Sequence, residues 1–154
     1  MTENKATCKR YAEDIENYVF RKITECPYCG ETFVYDEYFD EEKSLYVCPH
    51  CNKEMDDSDF EPLTIYDYFA VNEYNVVYRI NKELEYKSVE IMVGCGGPNV
   101  YVDTQEKTVK LSWWGEQEFY SLDADACNVI DEYYEEQYNY ETENKYARLQ
   151  KRDS

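Results

Sequence analysis

Apolar residues recur at spacings of three and four over residues 8–22. Cys8, Ala12, Ile15, Tyr18, Val19 and Lys22 fall near one face there, which predicts a first amphipathic helix. Residues 32–35 (Thr-Phe-Val-Tyr) and 45–47 (Leu-Tyr-Val) are short β-prone runs flanking the acidic turn Asp40-Glu41-Glu42-Lys43, and they read as a hairpin. A polar connector follows. Pro62 then suits the first turn of a second helix reaching about Asn72, with Leu63, Tyr66, Phe69 and Ala70 as its buried stripe.

After residue 75 the period changes. Val76–Ile80, Val89–Val93, Val100–Val102 and Val109–Trp114 are β-branched or aromatic runs separated by polar or Gly/Pro punctuation, and they predict a meander of about four antiparallel strands. Asp103-Thr104-Gln105-Glu106-Lys107 is the clearest hairpin connector, and Glu118–Ser121 offers a further short strand. A last helix starts at Leu122-Asp123, with Asp123 as N-cap. Its stripe is expected to be Ala126, Ile130, Tyr133, Gln137 and Tyr140, widened by Cys127 and Tyr134. The fold class expected is α+β: an N-terminal helix, a metal-binding hairpin, and an antiparallel sheet closed on one face by an acidic C-terminal helix. The divisions expected are 1–22, 23–61, 62–144 and a basic tail over 145–154, where Lys145, Arg148, Lys151 and Arg152 cluster.

Four of the seven cysteines form two matched pairs, Cys26-Pro-Tyr-Cys29-Gly and Cys48-Pro-His-Cys51. A two-residue gap lets both thiolates of a tight turn face one ion, and two such turns supply the soft tetrahedral set that Zn²⁺ prefers. The expected cofactor is one structural zinc ion held by Cys26, Cys29, Cys48 and Cys51. Residues 22–58 resemble the zinc ribbon family, including the proline in each knuckle and the glycine after the first. Four thiolates close the shell, so a catalytic zinc with an open position is not expected. His50 is read as a neighbour of the site, and the odd cysteine count argues against a disulfide framework.

Charge sharpens this picture. The 154-residue chain carries 34 Asp+Glu against 16 Lys+Arg, a formal net charge of -18. Direct binding to nucleic acid or an anionic membrane is disfavoured by that sign, whereas a basic partner would be attracted and steered. The charge is not spread evenly: residues 23–73 hold 14 acidic and two basic side chains, and residues 123–144 hold eight acidic and no basic ones. Asp131/Glu135 and Glu132/Glu136 are like-charge pairs at i,i+4, which cost helix stability. Carboxylates so placed, interleaved with tyrosine, read as a surface tuned to a basic partner. The candidate partner-binding acids are Asp36, Glu37, Asp40, Glu41 and Glu42 of the hairpin and Asp131, Glu132, Glu135 and Glu136 of the last helix. Tyr133, Tyr134, Tyr138 and Trp114 are the candidate aromatic anchors.

Other motifs read more plainly. Gly94-Cys95-Gly96-Gly97-Pro98 lacks the ending of a phosphate loop and is taken as a bend between strands that needs glycine dihedrals, with Cys95 a packed residue. Glu83-Leu-Glu85-Tyr-Lys87 contains a nuclease-like fragment without the basic surface a nuclease requires. Trp113-Trp114 is expected to direct one indole to each side of a strand. No apolar run long enough to span a membrane occurs, and the N-terminus has no apolar export segment, so a soluble protein is expected.

Residues 88–136, with the Gly-Gly-Pro-Asn segment, Trp-Trp-Gly and the acidic tyrosine-rich helix, resemble a segment of small phage and mobile-element proteins. In style the chain resembles anti-CRISPR and anti-restriction inhibitors that imitate nucleic acid. That resemblance implies a non-enzymatic inhibitor in a bacterial cytoplasm, acting on a nucleic-acid-handling effector such as a CRISPR complex. The alternative is a zinc-ribbon adaptor or regulatory module that docks on another protein such as transcription machinery.

Overall fold

Thr2 starts the first helix earlier than the apolar period predicts: its Oγ1 accepts a hydrogen bond of 3.1 Å from the Lys5 N–H, so helical geometry begins at Glu3. The structure, a computed structural model, describes residues 1–152 and the side chains of residues 1–145. The side chains of Arg148, Lys151 and Arg152, expected in a basic tail, therefore lie outside the described residues. Chain order runs α1 (Glu3–Phe20), β1 (Ile23–Glu25), β2 (Thr32–Val34), β3 (Phe39–Asp40), β4 (Leu45–Val47), β5 (Glu54–Met55), β6 (Pro62–Leu63) and α2 (Ile65–Asn72). It continues with β7 (Asn75–Ile80), β8 (Tyr86–Gly94), β9 (Asn99–Asp103), β10 (Thr108–Trp113), β11 (Glu116–Ser121) and α3 (Ala124–Arg152). The class is α+β, as expected.

Two compact units share these elements: Glu13–Val71, and Met1–Ala12 together with residues 72–154. In the first unit β1 pairs with both β2 and β6, and β4 pairs with both β3 and β5. Pro62 does not open α2 as expected. Pro62 and Leu63 lie opposite Thr24 and Ile23 as an edge strand, where the missing proline N–H does no harm. The helix begins after Thr64, whose own N–H donates to Asp67 Oδ2 at 2.7 Å, one half of a capping box.

The unit's core is small. Cys26, Phe33, Cys48 and Met55 are buried, with Tyr35, Tyr46 and Phe60 packed against them. Tyr35–Phe60, Tyr46–Phe60 and Phe39–Tyr46 ring centroids lie 4.9, 5.3 and 4.8 Å apart. A unit of about 60 residues buries too little surface to be more than marginally stable, and here two of the four central side chains are cysteines.

The second unit contains one antiparallel sheet of five strands in the order β11-β10-β9-β8-β7. The Glu118 segment is thus a full fifth strand, paired residue by residue with β10. Register places Ile91 beside Val102, Val102 beside Val109 and Val100 beside Leu111, so strict alternation delivers one continuous buried face. Its complement on α3 is Ala126, Cys127, Ile130 and Tyr134, all buried. Those positions follow an i+4 row, so the stripe runs through Tyr134 rather than through Tyr133, Gln137 and Tyr140. Asp123 caps α3, accepting from the N–H groups of Asp125 at 2.8 Å and Ala126 at 3.3 Å.

On the opposite face of the sheet, Arg79 grips Asp103 with both terminal nitrogens, at 2.8 and 2.7 Å, and reaches Glu90 at 3.3 Å. Lys110 Nζ lies 4.9 Å from the centre of the Tyr101 ring. Gly96 and Gly97 take φ of +93° and +148°, the bend that the glycine run predicts.

Candidate functional site

The four knuckle cysteines come together although 18 residues separate the pairs. All their sulfur atoms lie within 4.8 Å of one another, and Cys26–Cys51 and Cys29–Cys48 are each 3.7 Å apart. A tetrahedral ion with metal–sulfur bonds of about 2.3 Å requires sulfurs about 3.8 Å apart. The set therefore has the size and chemistry to hold a metal ion.

Each knuckle is built the same way. The Cys26 N–H donates to the Glu31 carbonyl at 2.9 Å and the Gly30 N–H to the Cys26 carbonyl at 2.9 Å. In the second knuckle the Cys48 N–H donates to Lys53 at 3.1 Å and the Asn52 N–H to Cys48 at 2.9 Å. The His50 N–H points at Cys48 Sγ from 3.4 Å, so its backbone supports the site while its side chain is exposed.

Electrostatics explains why such a cluster needs a cation. Burial opposes ionisation of Cys26, yet the N–H groups of Cys29 and Tyr28 pull its pKa down. The Glu31 N–H favours the Cys29 thiolate, but desolvation and the three neighbouring sulfurs push that thiol up. The Cys26 thiolate is thus favoured at the expense of Cys29 and Cys51 until a divalent charge is placed among them.

The acidic candidates divide by what they touch. Asp36 and Glu37 are exposed in a single 3-10 turn, Tyr35–Tyr38, and Glu37 pairs with Arg21. Asp40 holds its own turn, accepting from the N–H groups of Glu42 at 3.1 Å and Lys43 at 3.3 Å, whereas Glu41 and Glu42 are exposed. On α3, Glu132, Glu135 and Glu136 are exposed and lie with Gln137, Tyr140 and Glu143 on one open stretch of the helix surface. Asp131 is instead half-buried and accepts the Tyr86 hydroxyl at 2.6 Å.

Three aromatic expectations need correction. Tyr134 is 1% exposed and donates to Glu73 Oε1 at 2.6 Å, so it is a core residue and offers no anchor to a partner. Tyr138 is half-buried against Tyr78, at 5.3 Å between rings, with its hydroxyl on the Leu84 carbonyl at 2.6 Å. Trp114 is not on a strand. It and Gly115 form the two-residue loop between Trp113 and Glu116, with φ of +52° and +80°, the dihedrals of a tight hairpin turn. The indoles therefore do not straddle a sheet. Trp114 is 85% exposed and packs edge-on to Trp113 at 5.5 Å.

Among the described residues no helix is long and apolar enough to cross a membrane. The sequence matches no protein family, no curated protein and no solved structure.

Proposed function

We propose that this chain is a non-enzymatic, zinc-stabilised acidic protein that occupies the nucleic-acid-binding surface of a basic partner. The observation that carries the reading is the exposed acid face of α3. Glu132, Glu135, Glu136 and Glu143 share one open face of a 29-residue helix, and no lysine or arginine occurs from Asp123 to Asn144. Carboxylates on successive turns recur about every 5.4 Å, a repeat of the same order as phosphates along a strand. Such a surface attracts a basic groove and competes there with nucleic acid.

Zinc is the metal we assign to the four cysteines. Four thiolates in a tetrahedron match the ligand type and geometry of Zn²⁺, and a closed Cys₄ shell is the form that structural zinc sites take. Its role is to supply folding free energy to Glu13–Val71. No water or substrate position remains on a four-thiolate zinc ion, so in this reading the metal is structural.

A CRISPR effector from a bacterial host is the target class implied by the resemblance to small phage inhibitors. The test is inhibition of such an effector's DNA binding by the purified protein, measured from 50 to 500 mM salt. Inhibition that weakens steeply with salt and disappears in an E132K/E135K/E136K variant supports the reading; salt-independent inhibition overturns the imitation of nucleic acid.

A second reading is an adaptor that docks through the ribbon. It is favoured by the exposed aromatic rings of Tyr28, Tyr38 and Phe39. In that case Y28A and F39A would abolish partner capture while charge reversal on α3 would leave it unchanged.

A further inference from the structure

A recess of about 330 Å³ opens between the β7 margin and α3. Its walls carry Glu73, Tyr74, Tyr78, Tyr133, Gln137 and Glu141. We propose that this recess receives an arginine side chain, an assignment that rests on the basic-partner reading above and gives it a specific contact.

Shape, fixed geometry and unmatched charge support the assignment together. The recess is at the small end of ligand pockets, large enough for one long side chain. Glu73 is held in place because Tyr134, buried beneath it, donates to its Oε1. Among the described residues no lysine or arginine pairs with Glu73 or Glu141. Among the described residues, two carboxylates are thus presented at one concavity without a paired cation.

The rings complete the chemistry. Tyr74 is 66% exposed at the mouth and Tyr133 packs against Tyr134 at 4.9 Å. Tyr78 shows how close the acids are: burial first, then the charges of Glu141 and Glu73, push its hydroxyl up to about 12. A neutral phenol ring beside carboxylates offers both a negative face and a charged acceptor to a cation.

Arginine fits this better than other cations. A guanidinium is planar, stacks on tyrosine and has five donors for carboxylate, phenol and amide oxygens. Lysine presents a compact, strongly hydrated charge, and a quaternary ammonium has no donors and would leave the polar walls unpaired.

The test is a titration of the ¹⁵N-labelled full chain with N-acetyl-arginine methylamide, its lysine counterpart and its neutral citrulline counterpart. Saturable shifts confined to residues 73–78 and 133–141 are expected with the arginine compound, several-fold weaker with lysine, and absent with citrulline. E141Q, on the exposed helix surface, should weaken the arginine compound roughly tenfold, the loss of one charge-assisted contact, and Y74A should weaken it with the fold unchanged. Equal shifts from arginine and citrulline, stronger binding of lysine, shifts mapping elsewhere, or no effect of E141Q would overturn the proposal. Each of these outcomes is separate from the inhibition assay, because Glu132, Glu135 and Glu136 do not line the recess.

Discussion

Gly30 and Asn52 occupy the same place in the two metal knuckles, one residue after the second cysteine, with φ of +78° and +62°. Both donate their N–H to the carbonyl of the knuckle's first cysteine. Only glycine takes that conformation without cost, and asparagine is among the few other residues that visit it. Asn52→Gly should therefore be neutral or slightly stabilising, whereas Gly30→Val should cost about 1–2 kcal/mol. Thermal midpoints of the metal-loaded proteins check both.

Removing the metal should unfold Glu13–Val71. Two of the four side chains at its centre, Cys26 and Cys48, belong to the cluster that can hold the ion, so core organisation should be lost with it. A chelator should collapse the amide dispersion of Phe33 and Met55, and Cys48→Ser should do the same without chelator. Thiolates bind metal and thiols do not, so release should also follow acidification, with affinity retained at neutral pH and lost as pH falls. Dispersion that survives metal removal would count against a structural ion.

Asp103 ties stability to acid. Burial works against its charge, but the Arg79 guanidinium and the N–H groups of Glu106 and Gln105 more than compensate and hold its carboxyl below the ordinary 3.8. Its folded pKa lies under the unfolded one, so this contribution is complete above the unfolded value and is lost as pH falls through the folded value. Asp103→Asn should lower stability at pH 7 and flatten its decline below about pH 4, read from urea midpoints at several pH values.

Tyr134→Phe leaves the ring in the core and removes only the hydroxyl on Glu73. The expected cost is about 1.5–3 kcal/mol, as for a hydrogen bond to a charged group. Tyr134→Ala should cost about 3–5 kcal/mol through the cavity left under the recess. Urea denaturation of both variants separates the bond from the packing.

A Cβ at Gly97 would lie 2.9 Å from two atoms of the Trp113 ring, at a φ that side chains avoid. Gly97→Ala should displace Trp113 and cost about 1–3 kcal/mol, with a red shift in tryptophan emission. Gly96 has open space around the same atom, so Gly96→Ala should carry backbone strain without moving the indole.

Local chemistry makes the knuckles, the Asp123 cap of α3 and the buried sheet face legible in the sequence. Cys-x-x-Cys spacing fixes which atoms can share an ion, Asp123 announces the start of α3, and alternation in Val100–Val102 and Val109–Leu111 assigns faces. What escaped depends on partners distant in the chain. Whether the α3 stripe runs through Tyr133 or Tyr134 is set by the sheet beneath it, since both positions fit a helical period. Asp131 looks like its acidic neighbours until Tyr86, 45 positions away, claims its carboxylate. The recess brings residues 73–78 against 133–141, and no spacing along the chain announces that meeting. Trp-Gly as a turn pair is a local signal that competes with strand, because two tryptophans after a β-branched run look like more strand, and the Thr2 and Thr64 helix starts are local signals too.

Strand β7 has a hydrogen-bonded neighbour on one side only among the described residues, which leaves backbone donors and acceptors along its outer margin. Such a margin is a template for self-association, and Val77 and Ile80 are exposed beside it. Two copies meeting there bring together chains of net charge -18, so mutual repulsion guards the margin. At molar salt the screening length shrinks to about 3 Å and that guard is gone. On the proposed reading, one charge distribution thus gives opposite salt responses: added salt should weaken capture of a basic partner while it lets two copies of the chain pair along β7.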